Sequence, residues 1–340
     1  MRSLRLAAVA LAVSAGAATA RAAECPGPAE CCADKPVDEI PKPAEVAMGV
    51  VLVGLYNVSE KSGTWDADYY LYEAWEPQEG FVPQTEITNE VARLSEQFGG
   101  LDLRDGRCIR ARRFRSTLAT PLNLRMFPFD RQTLTLGVSE SWLFASMLRY
   151  GDQPFLQGVD DSVYGQLSQW EVGHDMRYTR KSRVFKWEQG VWGDAVPIYE
   201  YATFSIPIRR HTTFHLTKFF LPLFIIVLVA MTVFWVDPED LASQVGIGVT
   251  CLLAAIAFQL AQASTLPEVA YLTLADLVFA LSYLAIALAL VESLYSNGQA
   301  RRGRRERAVR IDQICRFAFP LGLLVLTAAS VVASMRMTGG

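Results

Sequence analysis

Residues 216–236 read LTKFFLPLFIIVLVAMTVFWV, and this stretch determines what kind of protein the chain can form. It contains 21 residues and a single charge, Lys218, which fits the roughly 20 apolar residues that a helix needs to cross a bilayer. Three further apolar stretches follow it. We place the four predicted spans at about residues 214–236, 243–263, 271–293 and 312–335. The sequence therefore predicts a four-helix membrane domain over residues 211–340.

Basic residues set the predicted direction of these spans. The connection between the last two spans, residues 295–316, is a predicted loop whose arginines are Arg301, Arg302, Arg304, Arg305, Arg307, Arg310 and Arg316. Cytoplasmic loops of membrane proteins carry an excess of Lys and Arg, so we expect this loop to face the cytoplasm. With four spans, both chain ends are then expected on the outer side.

The first residues predict export of the chain. Arg2 and Arg5 precede an apolar stretch at 6–18, and small residues follow it, so residues 1–22 are predicted to be a signal peptide. The alternative is an uncleaved first helix, but the apolar stretch is too short to span a membrane. Residues 23–45 are rich in Pro, Ala and charge, which predicts a linker.

Residues 46–210 differ from the membrane part because they carry short alternating segments. Residues 50–56 and 65–75 flank a turn at 59–63, a pattern typical of a β-hairpin. Further strands are predicted at residues 108–115, 132–138, 169–180 and 199–208. Many short strands separated by Gly, Pro and Asp predict an antiparallel β-sandwich. Residues 93–106 show no clear pattern and are assigned no element.

The composition of the 340 residues narrows the functional classes. Hydrophobic residues make up 51% and charged residues 20%, which excludes a disordered chain, and the net charge of −3 offers no basic surface for a nucleic-acid partner. The six cysteines match neither a zinc pattern nor a disulfide framework: Cys108 is expected to stand alone, while a bridge among Cys25, Cys31 and Cys32 stays open. Because no catalytic, metal-ligand or phosphate-binding motif is present, we expect neither an enzyme nor a cofactor.

The second span has one face that differs from the rest of its surface. The residues on this face are spaced by four, three, four, three and four positions: Gly246, Thr250, Leu253, Ala257, Leu260 and Ser264. At about 100° per residue they share one side of a helix. The spacing leaves two interpretations open, either small residues that pack against neighbouring helices or the lining of a pore.

Several short segments together resemble one protein family. They are MFPFDRQ at 126–132, IRR at 208–210, FW at 234–235, VGIGVT at 245–250 and LPEVAY at 266–271. In this order they are similar to the motifs of the pentameric ligand-gated ion channels, the Cys-loop receptor superfamily, over roughly residues 46–335. Thr120 and Leu134 stand where the family's loop cysteines would be, and a short Arg-rich connection replaces its large cytoplasmic insert. Both departures resemble the bacterial branch.

The resemblance implies a fold, an assembly and a location. The expected architecture is an extracytoplasmic antiparallel β-sandwich followed by a four-helix transmembrane bundle, assembled as a homopentamer in contact with membrane lipid and inorganic ions. The second span would line the pore, with Leu253, Ala257 and Leu260 as its hydrophobic gate and Thr250 and Gly246 at its narrow end. The location implied is the inner membrane of a bacterium, with the N-terminal domain in the periplasm or outside the cell.

The resemblance also implies a cluster that couples the two domains. It places Glu60, Asp130 and Arg210 together, as two carboxylates around one planar guanidinium. Pro267 and Tyr271 would belong to the loop that receives the movement. The alternative is three solvated surface charges that contribute little to stability.

An agonist site is implied between subunits, on aromatic side chains. The candidates are Tyr70, Tyr72, Trp142, Trp187, Trp192 and Tyr199. Such rings bind the cation of a small-molecule agonist through their faces, whereas the alternative for each ring is ordinary packing in a β-sandwich. Protons are a rival trigger, because histidine is the side chain whose ordinary pKa lies near neutrality and the chain contains His174, His211 and His215. Asp276, inside the third predicted span, is expected to face protein or water.

The cytoplasmic mouth gives conflicting indications of ion selectivity. Asp237, Glu239 and Asp240 precede the second span, and five copies of these carboxylates favour cations. The second span instead resembles that of anion-selective members, although Gln244 stands where those have an arginine. We predict a cation-selective channel. The alternative function is a non-conducting four-span solute sensor that signals through its cytoplasmic loop.

Overall fold

The computed structural model describes residues 43–78, 81–140, 145, 147–184, 198–262 and 269–338. Within these residues, a domain of β-strands is followed by four long helices. The predicted signal peptide and all but the last three residues of the predicted linker lie outside this part of the chain.

The strands form two sheets around one core. They are β1 (Ala44–Ser59), β2 (Thr64–Trp75), β3 (Thr85–Ile87), β4 (Glu90–Arg104), β5 (Arg107–Ala119), β6 (Arg131–Glu140), β7 (Leu148–Tyr150), β8 (Leu156–Val159), β9 (Trp170–Val172), β10 (Arg177–Val184) and β11 (Ile198–Arg210). One sheet has the order β4-β5-β2-β1-β7, with β8 also on β1, and the other has the order β10-β11-β6-β3, with β9 on β11. The predicted β-sandwich is confirmed.

The predicted hairpin shows how the sequence builds this core. In β2 the odd-numbered residues from Trp65 to Trp75 are buried, whereas the even-numbered residues from Asp66 to Tyr72 are partly exposed. β1 pairs with β2 in antiparallel register across a turn in which Gly63 adopts a φ of +64°, a conformation that favours glycine. The period of two in the sequence therefore fixes which side chains face the opposite sheet.

Strand β4 covers most of residues 93–106, for which the sequence predicted no element. It is the outermost strand of its sheet, and within the part of the chain that the structure describes it pairs with β5 alone. Residues 91–99 are all exposed in the single chain. Because neither face of this segment enters the core, its sequence carries no alternation of polar and apolar residues that would reveal a strand.

The four helices are α1 (Thr213–Trp235), α2 (Leu241–Gln262), α3 (Leu274–Arg301) and α4 (Arg305–Thr338). Each contains a segment long and apolar enough to cross a membrane, so the predicted number of four candidate membrane helices is confirmed, and each helix overlaps one predicted span. The predicted loop over residues 295–316 is wrong, because only Arg302–Arg304 separate α3 from α4. Gly303 ends the turn with a φ of +76°, while the flanking Arg-rich sequence is made of good helix formers.

Asp276 has a structural role at the beginning of α3. Its carboxylate accepts hydrogen bonds from the backbone N–H and the hydroxyl of Thr273, at 2.9 and 2.7 Å, and the Thr273 hydroxyl accepts one from the Asp276 N–H at 3.2 Å. This reciprocal pattern is a capping box, which satisfies N–H groups that a helix start leaves without partners. Asp276 therefore lies in the first turn of α3 rather than in the middle of a span.

Cys108 corrects another expectation. It is buried in the core on β5 and forms a disulfide, so it does not stand alone. Cys251 and Cys315, in the helices, are free. Disulfides persist in oxidising compartments such as the periplasm, which agrees with the predicted outward side of the β-sandwich.

Candidate pore and domain junction

Helix α2 packs against its own subunit through one face only. Its buried residues are Gln244, Gly248, Cys251 and Ala255, spaced by four, three and four positions. A side chain at Gly248 would collide with Leu290 of α3, so this glycine allows the two helices to approach closely. The face of α2 that packs within the subunit is therefore different from the stripe singled out in the sequence.

The predicted stripe lies on the opposite side of α2. Gly246, Thr250, Leu253, Ala257 and Leu260 are all exposed in the single chain, with Leu253 at 62% of its full accessibility. Ser264 lies outside the described residues. An apolar and hydroxylic face that is exposed among the described residues, on a helix able to span a membrane, is available to line a space between subunits.

The three acidic residues before α2 have different partners. Asp240 accepts hydrogen bonds from the Ser243 hydroxyl at 2.5 Å and from its backbone N–H at 3.2 Å. These bonds stabilise the ionised carboxyl and lower the pKa of Asp240 below its usual value. Asp237 and Glu239 instead face Arg305 of α4.

The structure brings Glu60, Asp130 and Arg210 together at the boundary between the two domains. Arg210, the last residue of β11, donates from Nε to Asp130 at 2.8 Å and from a terminal nitrogen to Glu60 at 2.7 Å. The side chains of Arg210 and Asp130 are each only 1% exposed. The alternative of three solvated surface charges is therefore wrong for this pair.

Sequence reasoning missed three residues that complete the cluster. The Arg210 guanidinium lies between two aromatic rings, 4.1 Å from the centroid of Trp170 and 4.8 Å from that of Phe127. The Gln132 amide donates at 2.7 Å to Asp130 Oδ2, which also accepts from an Arg210 terminal nitrogen at 3.3 Å. Phe127 and Gln132 belong to the MFPFDRQ motif and were available as candidates, but Trp170 comes from β9, and no local pattern linked it to Arg210.

The segment 124–129 joins this cluster to the helices. Leu124 and Phe127 are buried in the hydrophobic core of the helical domain, and Phe129 stacks on Phe220 of α1 at 6.1 Å. The backbone N–H of Leu124 donates to the Tyr271 hydroxyl at 2.9 Å. Tyr271 thus contacts the β-domain, whereas Pro267 lies outside the described residues, and the coupling role of both stays a prediction.

The aromatic candidates for a ligand site are only partly placed. Tyr70 and Tyr72 project from β2 with ring centroids 6.2 Å apart, and the Arg113 guanidinium lies 5.4 Å over Tyr70. Tyr199 is buried on β11, in the other sheet. Trp142, Trp187 and Trp192 lie outside the described residues, within which no group of three His, Cys, Asp or Glu side chains could hold a metal ion.

The chain combines a two-sheet sandwich with four apolar helices, and a buried arginine–carboxylate cluster lies where the two meet. This is the architecture that its resemblance to the pentameric ligand-gated ion channels implies. Two relatives from Drosophila melanogaster are a gamma-aminobutyric acid receptor subunit beta-like, 24% identical over 213 residues, and pH-sensitive chloride channel 2, 25% identical over 227 residues. A proton-gated ion channel of Gloeobacter violaceus is 22% identical over 304 residues. These relatives confirm the resemblance to the Cys-loop receptor superfamily.

The extent of these matches differs. The chain aligns over 62% and 65% of its length with the two Drosophila proteins but covers only 39% and 43% of theirs. With the Gloeobacter channel, the alignment covers 84% of this chain and 81% of the relative. No protein-family model matches the sequence. The relatives and the four apolar helices together indicate a multi-pass membrane protein with an extracellular domain.

Proposed function

We propose that the chain forms a homopentameric ion channel in the inner membrane of a bacterium, with five copies of α2 around the pore. The observation that carries this proposal is the exposed stripe of α2, opposite the face that packs against α3. Around a fivefold axis, Leu253 and Leu260 would form apolar rings. A narrow apolar ring dewets and blocks hydrated ions without any charge, and a small rotation of the helices relieves the block.

The domain junction supports control of this pore by the outer domain. Arg210 connects β11 to Asp130 and Glu60, and only two residues separate it from the first residue of α1. The segment 124–129 contacts both α1 and Tyr271. A displacement of the β-sandwich would therefore reach the helix that precedes the pore helix and the loop that follows it.

The trigger we propose is a small molecule or protons acting on the outer domain. The relatives include a gamma-aminobutyric acid receptor subunit and a proton-gated channel, which supports either stimulus. Tyr70 and Tyr72, half-buried on β2, are the candidates that we propose for a ligand held between subunits. The proposal keeps Trp142, Trp187, Trp192 and Tyr199 as candidates from the sequence. For selectivity we propose cations, since Asp237, Glu239 and Asp240 precede α2.

The test is to open the pore without its trigger. Leu253→Ser adds a hydroxyl to the apolar ring, and we expect membrane patches with this variant to conduct at rest. Leu252→Ser is the matched control, because this neighbouring leucine packs against the helical core. Under a NaCl gradient, a reversal potential near that of sodium supports cation selectivity, and one near that of chloride overturns it. Surface-expressed pentamers without current would favour the sensor alternative.

A further inference from the structure

The short α3–α4 connection is fixed against the loop between α1 and α2. Arg302, Gly303 and Arg304 form a tight turn, in which the Gly303 and Arg304 N–H groups donate to the carbonyls of Ala300 and Gln299, each at 3.0 Å. Within α3, the buried Asn297 amide donates to the Pro238 carbonyl at 2.7 Å. The first residue of α4 is therefore held beside the segment that enters the pore helix.

That first residue is Arg305, which lies between two of the mouth carboxylates. One of its terminal nitrogens is 2.7 Å from an Asp237 oxygen, and its Nε is 3.7 Å from a Glu239 oxygen. One positive charge thus compensates half of the negative charge of these two residues. The compensation is local, since charges near a surface act over a screening length of about 8 Å at physiological salt.

Asp240 differs from these two carboxylates. Its partners are the hydroxyl and the backbone N–H of Ser243, which are neutral groups, so its negative charge is not compensated by them. It also immediately precedes α2, whereas Asp237 lies three residues further away along the chain. Asp240 is exposed in the single chain and stays ionised.

We propose that Arg305 is a selectivity-determining residue, which compensates Asp237 and Glu239 and leaves Asp240 as the acidic group that acts on ions at the cytoplasmic mouth. The inference rests on the channel function proposed above. Because summed surface charge sets the local concentration of permeant ions, the guanidinium of α4 limits the entry of cations from the cytoplasm although it lies outside the pore helix.

The experiment compares two neighbouring arginines in the Leu253→Ser background. Arg305→Gln and Arg304→Gln remove the same charge from the same connection, but within the described residues the Arg304 side chain forms no ion pair. We expect Arg305→Gln to raise the outward cation conductance about twofold, because removing one positive charge beside a water-filled mouth raises the local cation concentration by about this factor. For Arg304→Gln we expect a distinctly smaller change.

A charge exchange tests the pairing itself. Arg305→Asp combined with Asp237→Arg restores an ion pair at the same place, and we expect its conductance to return toward that of the Leu253→Ser parent, away from the value of Arg305→Asp alone. Equal effects of Arg304→Gln and Arg305→Gln, or no effect of Arg305→Gln, would overturn the proposal while leaving the channel function intact. Absence of current in the parent itself would instead overturn the channel function, and this inference with it.

Discussion

Arg210 and Arg305 each lie between two carboxylates, and the two arginines differ in burial. Arg210, at the domain junction, is 1% exposed, whereas Arg305, at the cytoplasmic mouth, is 59% exposed, and both approach a carboxylate to 2.7 Å. Breaking a buried pair leaves an uncompensated charge in a poor solvent and costs about 3–5 kcal/mol. Exposed pairs contribute about 0.2–1 kcal/mol. The arginine–carboxylate pair therefore stabilises the fold at the domain junction, whereas at the cytoplasmic mouth it mainly changes the local electric field.

The largest expected effect follows from removing the buried guanidinium. Arg210→Gln leaves Asp130 buried with only the Gln132 amide as a described side-chain partner, so we expect it to lower the free energy of unfolding by about 3–5 kcal/mol. Arg305→Gln should change it by less than about 1 kcal/mol. Thermal unfolding of the two detergent-solubilised variants measures this difference. Equal losses of stability would contradict the contrast between the two sites.

The aromatic partners of arginine offer a second contrast. Trp170 is 3% exposed under Arg210 at 4.1 Å, and Trp235 is 59% exposed under Arg316 at 5.2 Å. A desolvated cation–π contact contributes about 2 kcal/mol and an exposed one about 0.5–1 kcal/mol. We therefore expect Trp170→Leu to destabilise the protein by about 2 kcal/mol or more, and Trp235→Leu by less than about 1 kcal/mol. Thermal unfolding measures both, and a larger loss at Trp235 would reverse the argument.

The sequence predicted the partners of Arg210 at the domain junction but not those of Arg305 at the cytoplasmic mouth, and the difference has a physical reason. Asp130 and Arg210 lie in motifs whose resemblance to a family marked them, and the apolar period of β2 is set by burial. Arg305 and Asp237 are 68 positions apart in exposed segments, where neither hydrophobic pattern nor motif constrains the partner of a charge.

The absence of a local sequence signal also explains why the sequence analysis missed strand β4 and Trp170. Residues 91–99 of strand β4 are exposed on both faces, so burial left no alternation in this part of its sequence. Trp170 reaches Arg210 through the pairing of β9 with β11, in which it lies opposite Arg210 itself. Long-range strand pairing of this kind is a property of the folded sheet and is not visible in a local segment.

The smallest expected effect concerns salt at the exposed pair. Asp237→Asn removes one partner of Arg305, and we expect it to change the free energy of unfolding by less than about 0.5 kcal/mol. This small contribution should vanish between about 0.1 M and about 1 M salt, because the screening length falls from about 10 Å to about 3 Å. Asp130→Asn is the control, since burial protects its contact with Arg210 from screening. A stability loss for Asp237→Asn that persists at high salt would show that the mouth pair is structural, as the junction pair is.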